Sequence, residues 1–137
     1  MTVLIVDDVN VMRLVIKDTL IRFFGVKPED IFEADSGEKA VIQYRGRKPD
    51  VVFLDITMPD MDGISTLRAI MQTNPSAYVI MCTSSNDKVD VLECICAGAK
   101  DYIKKPIKAD RVIKALEPLL RPSEPVAAGN EEAKNDS

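Results

Sequence analysis

The sequence contains no histidine. That absence excludes a Ser/His/Asp or Cys/His catalytic arrangement within the chain and any His-ligated zinc. It also means that the chain cannot itself carry a phosphohistidine. Cysteine is scarce: Cys82, Cys94 and Cys96 make an odd count of 3, and each falls inside an apolar segment. A disulfide framework wants an even count in a secreted protein, and a metal site wants better-spaced ligands, so buried reduced thiols are expected. No apolar run approaches the ~20 residues that span a bilayer. The start, MTVLIVDD, lacks the basic residues and long apolar stretch of a signal peptide. A cytoplasmic protein with no membrane partner is therefore expected. Basic residues are in the minority, 18 Lys and Arg against 22 Asp and Glu. No basic face stands out, so a nucleic-acid partner is not expected.

What is present suffices for one core: 46% of the 137 residues are apolar, and the length suits a single domain. Short apolar runs alternate with longer amphipathic stretches. Val3–Val6 ends at Asp7-Asp8, Ile31–Ala34 is a second run, residues 51–54 end at Asp55, residues 78–82 end at Thr83, and Tyr102-Ile103 precedes Lys104-Lys105-Pro106. Between them Met12, Val15, Ile16, Thr19, Leu20 and Phe23 recur at helical spacing, as do Ala40, Val41 and Tyr44, then Ile64, Leu67, Ile70 and Met71, then Leu92, Ile95 and Cys96, and finally Val112, Ile113, Leu116 and Leu119. Asn10 is placed to cap the first helix. Asp35 with Glu38 reads as a capping-box start for the second, whereas Ser36 with Lys39 does not. Asn86 or Asp87 is placed to cap the fourth. Asp60, Asp62 and Gly63 read as turn formers. Pro118 predicts that the fifth helix ends near Glu117.

This rhythm predicts an α/β fold, a doubly wound five-stranded parallel sheet covered on both faces. Residues 1–120 form the expected domain. Residues 121–137 are rich in Pro, Glu, Asn, Ala and Ser, and read as a flexible tail.

In open parallel sheets, ligands bind beyond the carboxyl ends of the strands. The predicted topology therefore gathers Asp7, Asp8, Asp55, Thr83 and Lys105 at one rim. Three clustered carboxylates repel strongly: two charges ~4 Å apart interact by ~4 kcal/mol at an effective dielectric of ~20. A divalent cation relieves that cost, and oxygen donors without His or Cys favour Mg²⁺. Such a site can hold a phosphoryl donor and stabilise the transferring group.

These residues carry a resemblance. LIVDD (residues 4–8), VVFLDITMPDMDG (51–63), MCTSS (81–85) and GAKDYIKKPI (98–107) are similar to the receiver domain of two-component response regulators, and the similarity runs from about residue 1 to residue 120. No single motif suffices, but four in order, each at a strand end, are very specific. The resemblance implies a CheY-like (βα)5 fold of the flavodoxin type, with Asp55 as phosphoacceptor. It implies Mg²⁺ held by Asp7, Asp8, Asp55 and the backbone carbonyl of Thr57. It further implies that Lys105 pairs with the phosphoryl group, that Thr83 hydrogen-bonds to it, and that Tyr102 is the switch aromatic. The phosphodonor would be a histidine kinase or a phosphotransfer protein. Output would pass to an unidentified downstream protein through the face of the fourth helix, fifth strand and fifth helix. A single-domain, monomeric or weakly dimeric response regulator is expected, with chemotaxis among the processes it could serve, catalysing only its own phosphorylation and dephosphorylation. A phosphorelay carrier or a phosphate sink is the alternative. The sequence departs from many members at Ser84, where Ala is common, while Thr57 and Ser85 occupy positions that vary among relatives and affect acyl-phosphate loss.

Two other readings share the architecture. A flavodoxin-like electron carrier needs a Ser/Thr/Gly-rich loop after the first strand, where Asp7-Asp8 would repel the FMN phosphate. A Mg²⁺-dependent aspartyl phosphatase wants an Asp-x-Asp there and a cap region, and neither is seen.

Overall fold

The computed structural model describes residues 1–56, 58, 62–84 and 88–120, the side chains of Lys88 and Val89 excepted. The expectations for Thr57, Asp60, Ser85, Asn86, Asp87 and residues 121–137 lie outside the described residues.

Apolar and mostly branched residues form β1 (Val3–Val6), β2 (Ile31–Ala34), β3 (Val51–Asp55), β4 (Val79–Thr83) and β5 (Asp101–Lys104). Every position of β1, β3 and β4 is buried, which requires cover on both faces of the sheet. The helices α1 (Asn10–Phe24), α2 (Gly37–Arg47), α3 (Gly63–Thr73), α4 (Lys88–Cys96) and α5 (Ala109–Leu120) supply it. All pairings are parallel, in the order β2-β1-β3-β4-β5. The two-residue period of the strands splits the core into two layers. Val3, Ile5, Val51, Phe53, Ile80, Cys82 and Ile103 pack with Ile16 and Leu20 of α1 and Val112, Ala115 and Leu116 of α5. Leu4, Val6, Val52, Leu54, Val79 and Met81 pack with Ala40, Tyr44, Leu67, Ile70 and Cys94 of α2, α3 and α4. The doubly wound α/β sheet expected from the alternating pattern is thus the fold that forms.

The helix ends differ from the expectations in four places. Asn10 is the first residue of α1 rather than its cap; Val9 holds the cap position and offers no side-chain bond. Phe24, not Phe23, packs against the core at the end of α1; Phe23 is 56% exposed. The cap of α2 is Ser36, whose hydroxyl accepts from the Lys39 N–H at 3.2 Å; Asp35 instead pairs with Lys39 across one turn. Helix α5 continues through Pro118 to Leu120. Pro118 forgoes one backbone bond, but burial of Val112, Ala115 and Leu116 and packing of Leu119 hold the helix in place. Cys96 is also exposed, whereas Cys82 and Cys94 are buried as expected.

Candidate functional site

Strand β1 pairs with β2 on one side and β3 on the other. The chain therefore leaves β1 and β3 in opposite directions, and a crevice opens at their carboxyl ends. The register sets Val6 beside Leu54, so one residue further along Asp7 faces Asp55. Both are buried, at 2% and 5% exposure, and Asp8 is exposed. One carboxylate oxygen from each of Asp7, Asp8 and Asp55 lies within 4.8 Å of the others.

Lys105 reaches this cluster from the segment after β5. Its ammonium donates to Asp7 Oδ2 at 2.9 Å and to Asp55 Oδ1 at 3.2 Å. Its backbone N–H donates to the Thr83 carbonyl at 2.6 Å, tying the end of β4 to the same group, and the Lys105–Pro106 peptide bond is cis. Thr83 is buried, and it follows Cys82, the register partner of Asp55. Of the residues singled out in the sequence, Asp7, Asp8 and Asp55 are brought together by proximity and Lys105 by its two hydrogen bonds, and Thr83 joins them by register and through the Lys105 N–H. Tyr102 stands apart on β5, 39% exposed. Its carbonyl accepts from Arg111, whose guanidinium also pairs with Asp101 at 3.3 Å.

Three carboxylates face one ammonium, so the cluster carries two excess negative charges if all are ionised. The donor set is all oxygen and contains neither sulfur nor imidazole. Charge and donor chemistry both fit a hard divalent cation such as Mg²⁺.

Three features were missed in the sequence. Asp62 does not merely form a turn: it caps α3, its carboxylate accepting the Ser65 N–H at 2.7 Å. That cap brings Gly63 onto the end of β3, where the Gly63 N–H donates to the Ile56 carbonyl at 2.6 Å. A Cβ on Gly63 would collide with the Asp55 carbonyl oxygen and lie 2.5 Å from Ile56 Cα. Glycine is therefore required there by close approach rather than by an unusual turn conformation. The second feature is Arg13, whose guanidinium reaches the Asp7 carbonyl from α1. The third is a basic groove around Tyr102, lined by Lys104, Lys105, Lys108, Arg111 and Lys114. Asp101, paired with Arg111, also lines it, and the helical spacing of Lys108, Arg111 and Lys114 was the signal for it.

Burial and the carboxylates of the cluster act together on the titrating groups at the site and beyond it. Burial pushes the Cys82 thiol up to about 12; the Lys105 charge opposes this, and Asp55 and Asp7 add to it. Burial alone would lower Lys105, but the hydrogen bond to Asp7 and the charges of Asp55 and Asp7 outweigh it, and its pKa is raised. Tyr78 is raised by burial and then by Asp101, and Cys94 by burial and then by Glu93 and Asp90. In each case the native state keeps a proton that the unfolded chain loses first. The stability that these groups contribute is therefore fully present below pH 9, the ordinary thiol value, and falls as pH rises beyond it. Cys82 alone contributes a slope of up to ~1.4 kcal/mol per pH unit between its unfolded and folded values. Urea unfolding at pH 8, 9.5 and 10.5 (chosen to bracket the thiol range) should show this decline, and Cys82→Ala should flatten it. Equal slopes in parent and variant would rule the assignment out.

The family model for the response regulator receiver domain matches residues 3–117. The chain belongs to the response regulator receiver family. This receiver is 46% identical over 118 residues to the chemotaxis protein CheY of Bacillus subtilis, covering 86% of the chain and 96% of that protein. It is 49% identical over 117 residues to the chemotaxis protein CheY of Listeria monocytogenes, covering 83% of the chain and 93% of that protein. Among solved structures, the CheX-CheY-BeF3-Mg complex of Borrelia burgdorferi matches with a TM-score of 0.77 at 35% identity, covering 87% of the receiver and 88% of the matched chain. As a CheY-like receiver the protein is a phosphoacceptor signalling module of two-component systems. Among its described residues no helix is long and apolar enough to cross a membrane.

Proposed function

We propose that residues 1–120 act as a response regulator receiver whose phosphoacceptor is Asp55. The observation that carries this reading is the Asp7–Asp8–Asp55 cluster with the Lys105 ammonium bridging two of its members. The donor is a histidine kinase or a phosphotransfer protein. A carboxylate oxygen of Asp55 attacks phosphorus, the phosphorus–nitrogen bond of the donor phosphohistidine breaks, and the donor nitrogen keeps the electron pair. The product is an acyl phosphate on Asp55 and an unphosphorylated donor histidine. Asp7, Asp8 and Asp55, with the carbonyl of Thr57, would hold Mg²⁺, which when bound neutralises carboxylates and phosphoryl oxygens.

The chain's own residues account for the response. Lys105 already stands 3.2 Å from Asp55 and donates to the incoming dianion. Thr83, at the end of the neighbouring strand, supplies a hydroxyl donor. Because the Lys105 N–H holds the Thr83 carbonyl, movement of either group is felt by the other and by β5, which carries Tyr102. Leu92 and Ile95 of α4 and Tyr102 of β5 are large apolar side chains left exposed, and they form the output surface with α5. Inverting a 1:99 population needs ~5.5 kcal/mol of preference, more than one or two charge-assisted contacts provide, so the downstream protein supplies part of it. Beyond its own phosphorylation and dephosphorylation the chain catalyses nothing.

Amide resonances test the reading. Beryllofluoride with Mg²⁺, a mimic of the acyl phosphate, should shift the signals of Thr83, Tyr102 and Lys105 in the parent and leave them in place in Asp55→Asn. Identical shifts in the variant would overturn it.

A further inference from the structure

Arg13 makes three hydrogen bonds from one guanidinium. Nη1 donates to the Asp7 carbonyl at 2.6 Å, Nε to Glu33 Oε1 at 2.9 Å, and Nη2 to Asn10 Oδ1 at 3.0 Å. The side chain is only 15% exposed. Those partners belong to three segments: the turn after β1, the strand β2 and the first turn of α1.

Asp7 is held at every polar atom. Its N–H donates to the Ala34 carbonyl at 3.1 Å, Oδ1 accepts from the Val9 N–H at 2.9 Å, Oδ2 accepts from Lys105, and its carbonyl accepts from Arg13. Asp8 is the opposite case. It is exposed, and its carboxylate has no hydrogen bond or ion pair with any described residue. Its place in the cluster is therefore set by the backbone alone. The peptide joining Asp7 to Asp8 offers two polar atoms, the Asp7 carbonyl oxygen and the Asp8 N–H, and Arg13 grips the carbonyl through a charge-assisted bond. Val9, at the cap position of α1, offers no side-chain bond; its N–H, held by Asp7 Oδ1, fixes the far end of the turn while Arg13 fixes the near end.

We infer that Arg13 is a positioning residue: by holding the Asp7 carbonyl it fixes the Asp7–Asp8 peptide and so sets where the Asp8 carboxylate stands. Glu33 has a matching part. It sits on β2 beside Ile5 and pairs with the guanidinium at 2.9 Å and with Lys17 at 3.6 Å, so it orients Arg13 and offsets part of the positive charge that α1 brings near Asp8. The planar fork explains why arginine serves here. A lysine could keep the ion pair with Glu33, but it cannot reach three acceptors held in fixed directions.

This inference rests on the proposal that Asp8 helps to hold a divalent cation, and the experiment separates the two. Mg²⁺ is titrated calorimetrically into the full chain at constant ionic strength, for the parent, Asp8→Asn, Arg13→Lys and Arg13→Met. Amide spectra of the same proteins are recorded without metal. Outer-shell groups that orient ligands typically change metal affinity by 10–100-fold. Asp8→Asn should abolish measurable binding. Arg13→Lys and Arg13→Met should each weaken it by about tenfold, and both should shift the metal-free amide signals of Asp8 and Val9. If Arg13→Met does not fold, Arg13→Lys, which keeps charge and ion pair, decides alone. Parental affinity in Arg13→Lys would overturn the inference, since charge rather than orientation would then suffice. Parental affinity in Asp8→Asn would sink the assignment of Asp8 as a ligand; the metal-free amide shifts would then decide whether Arg13 sets the peptide.

Discussion

Gly63→Ala should lower stability by about 3 kcal/mol, the upper end for inserting a methyl group into a packed site, and depress Tm by about 10 °C for a domain of this size. The atoms in the way are backbone, the Asp55 carbonyl and Ile56 Cα, so no side chain can rotate aside to make room. Relief must come from moving the end of β3 or the start of α3. Either shift displaces Asp55 relative to Asp7, so the extent of phosphorylation by a small phosphodonor should fall along with Tm. Gly46→Ala is the control. Gly46 lies inside α2, and a methyl group added there would meet nothing within 4 Å; alanine at this position should stabilise the helix by about 0.5–1 kcal/mol. Thermal unfolding of the two variants checks both signs. A Gly63→Ala protein as stable as the parent would contradict the close packing of α3 on β3.

Lys105→Ala should be nearly as costly when no metal is added. The ammonium is the counter-charge for Asp7 and Asp55, whose side chains are 2% and 7% exposed. Removing one partner of a fully buried pair costs about 3–5 kcal/mol. Lys105 keeps 18% of its side-chain exposure, so solvent screening brings the expected loss to about 2–3 kcal/mol. Two controls identify the cause as charge. Adding Asp55→Asn to Lys105→Ala should recover part of the loss, with a coupling of about 1–2 kcal/mol in a double-mutant cycle. Saturating Mg²⁺ should raise the Tm of Lys105→Ala more than that of the parent, since the ion supplies the positive charge that the variant lacks. Equal stability of parent and Lys105→Ala in chelator would show that the bridge contributes nothing.

How far the sequence discloses this site depends on what each feature rests upon. The strands and the two-faced sheet were readable because β1, β3 and β4 are uninterrupted apolar runs, a pattern that only burial on both sides explains. The rim was readable because Asp7, Asp55 and Thr83 stand directly at strand ends, and position at a strand end fixes position in the fold. Features that depend on distance between segments were not readable. An arginine at position 13 is ordinary on an amphipathic helix until the Asp7 carbonyl and Glu33 are seen beside it. A glycine after Asp62 looks like a turn residue until the β3 backbone is found against it. Local competition explains the cap errors: Asp35 and Ser36 both offer an oxygen at the start of α2, and Lys39 draws the carboxylate away while the hydroxyl takes the backbone N–H. Propensity likewise misjudged Pro118, because the buried face of α5 outweighs one missing backbone bond.

The central claim, that Asp55 receives the phosphoryl group, is tested most directly by intact mass. Parent and Asp55→Asn are incubated side by side with acetyl phosphate and Mg²⁺. The parent should gain a single adduct of phosphoryl mass that fails to form when the metal is chelated beforehand, and the variant should gain none. An adduct of equal occupancy in Asp55→Asn would contradict the account.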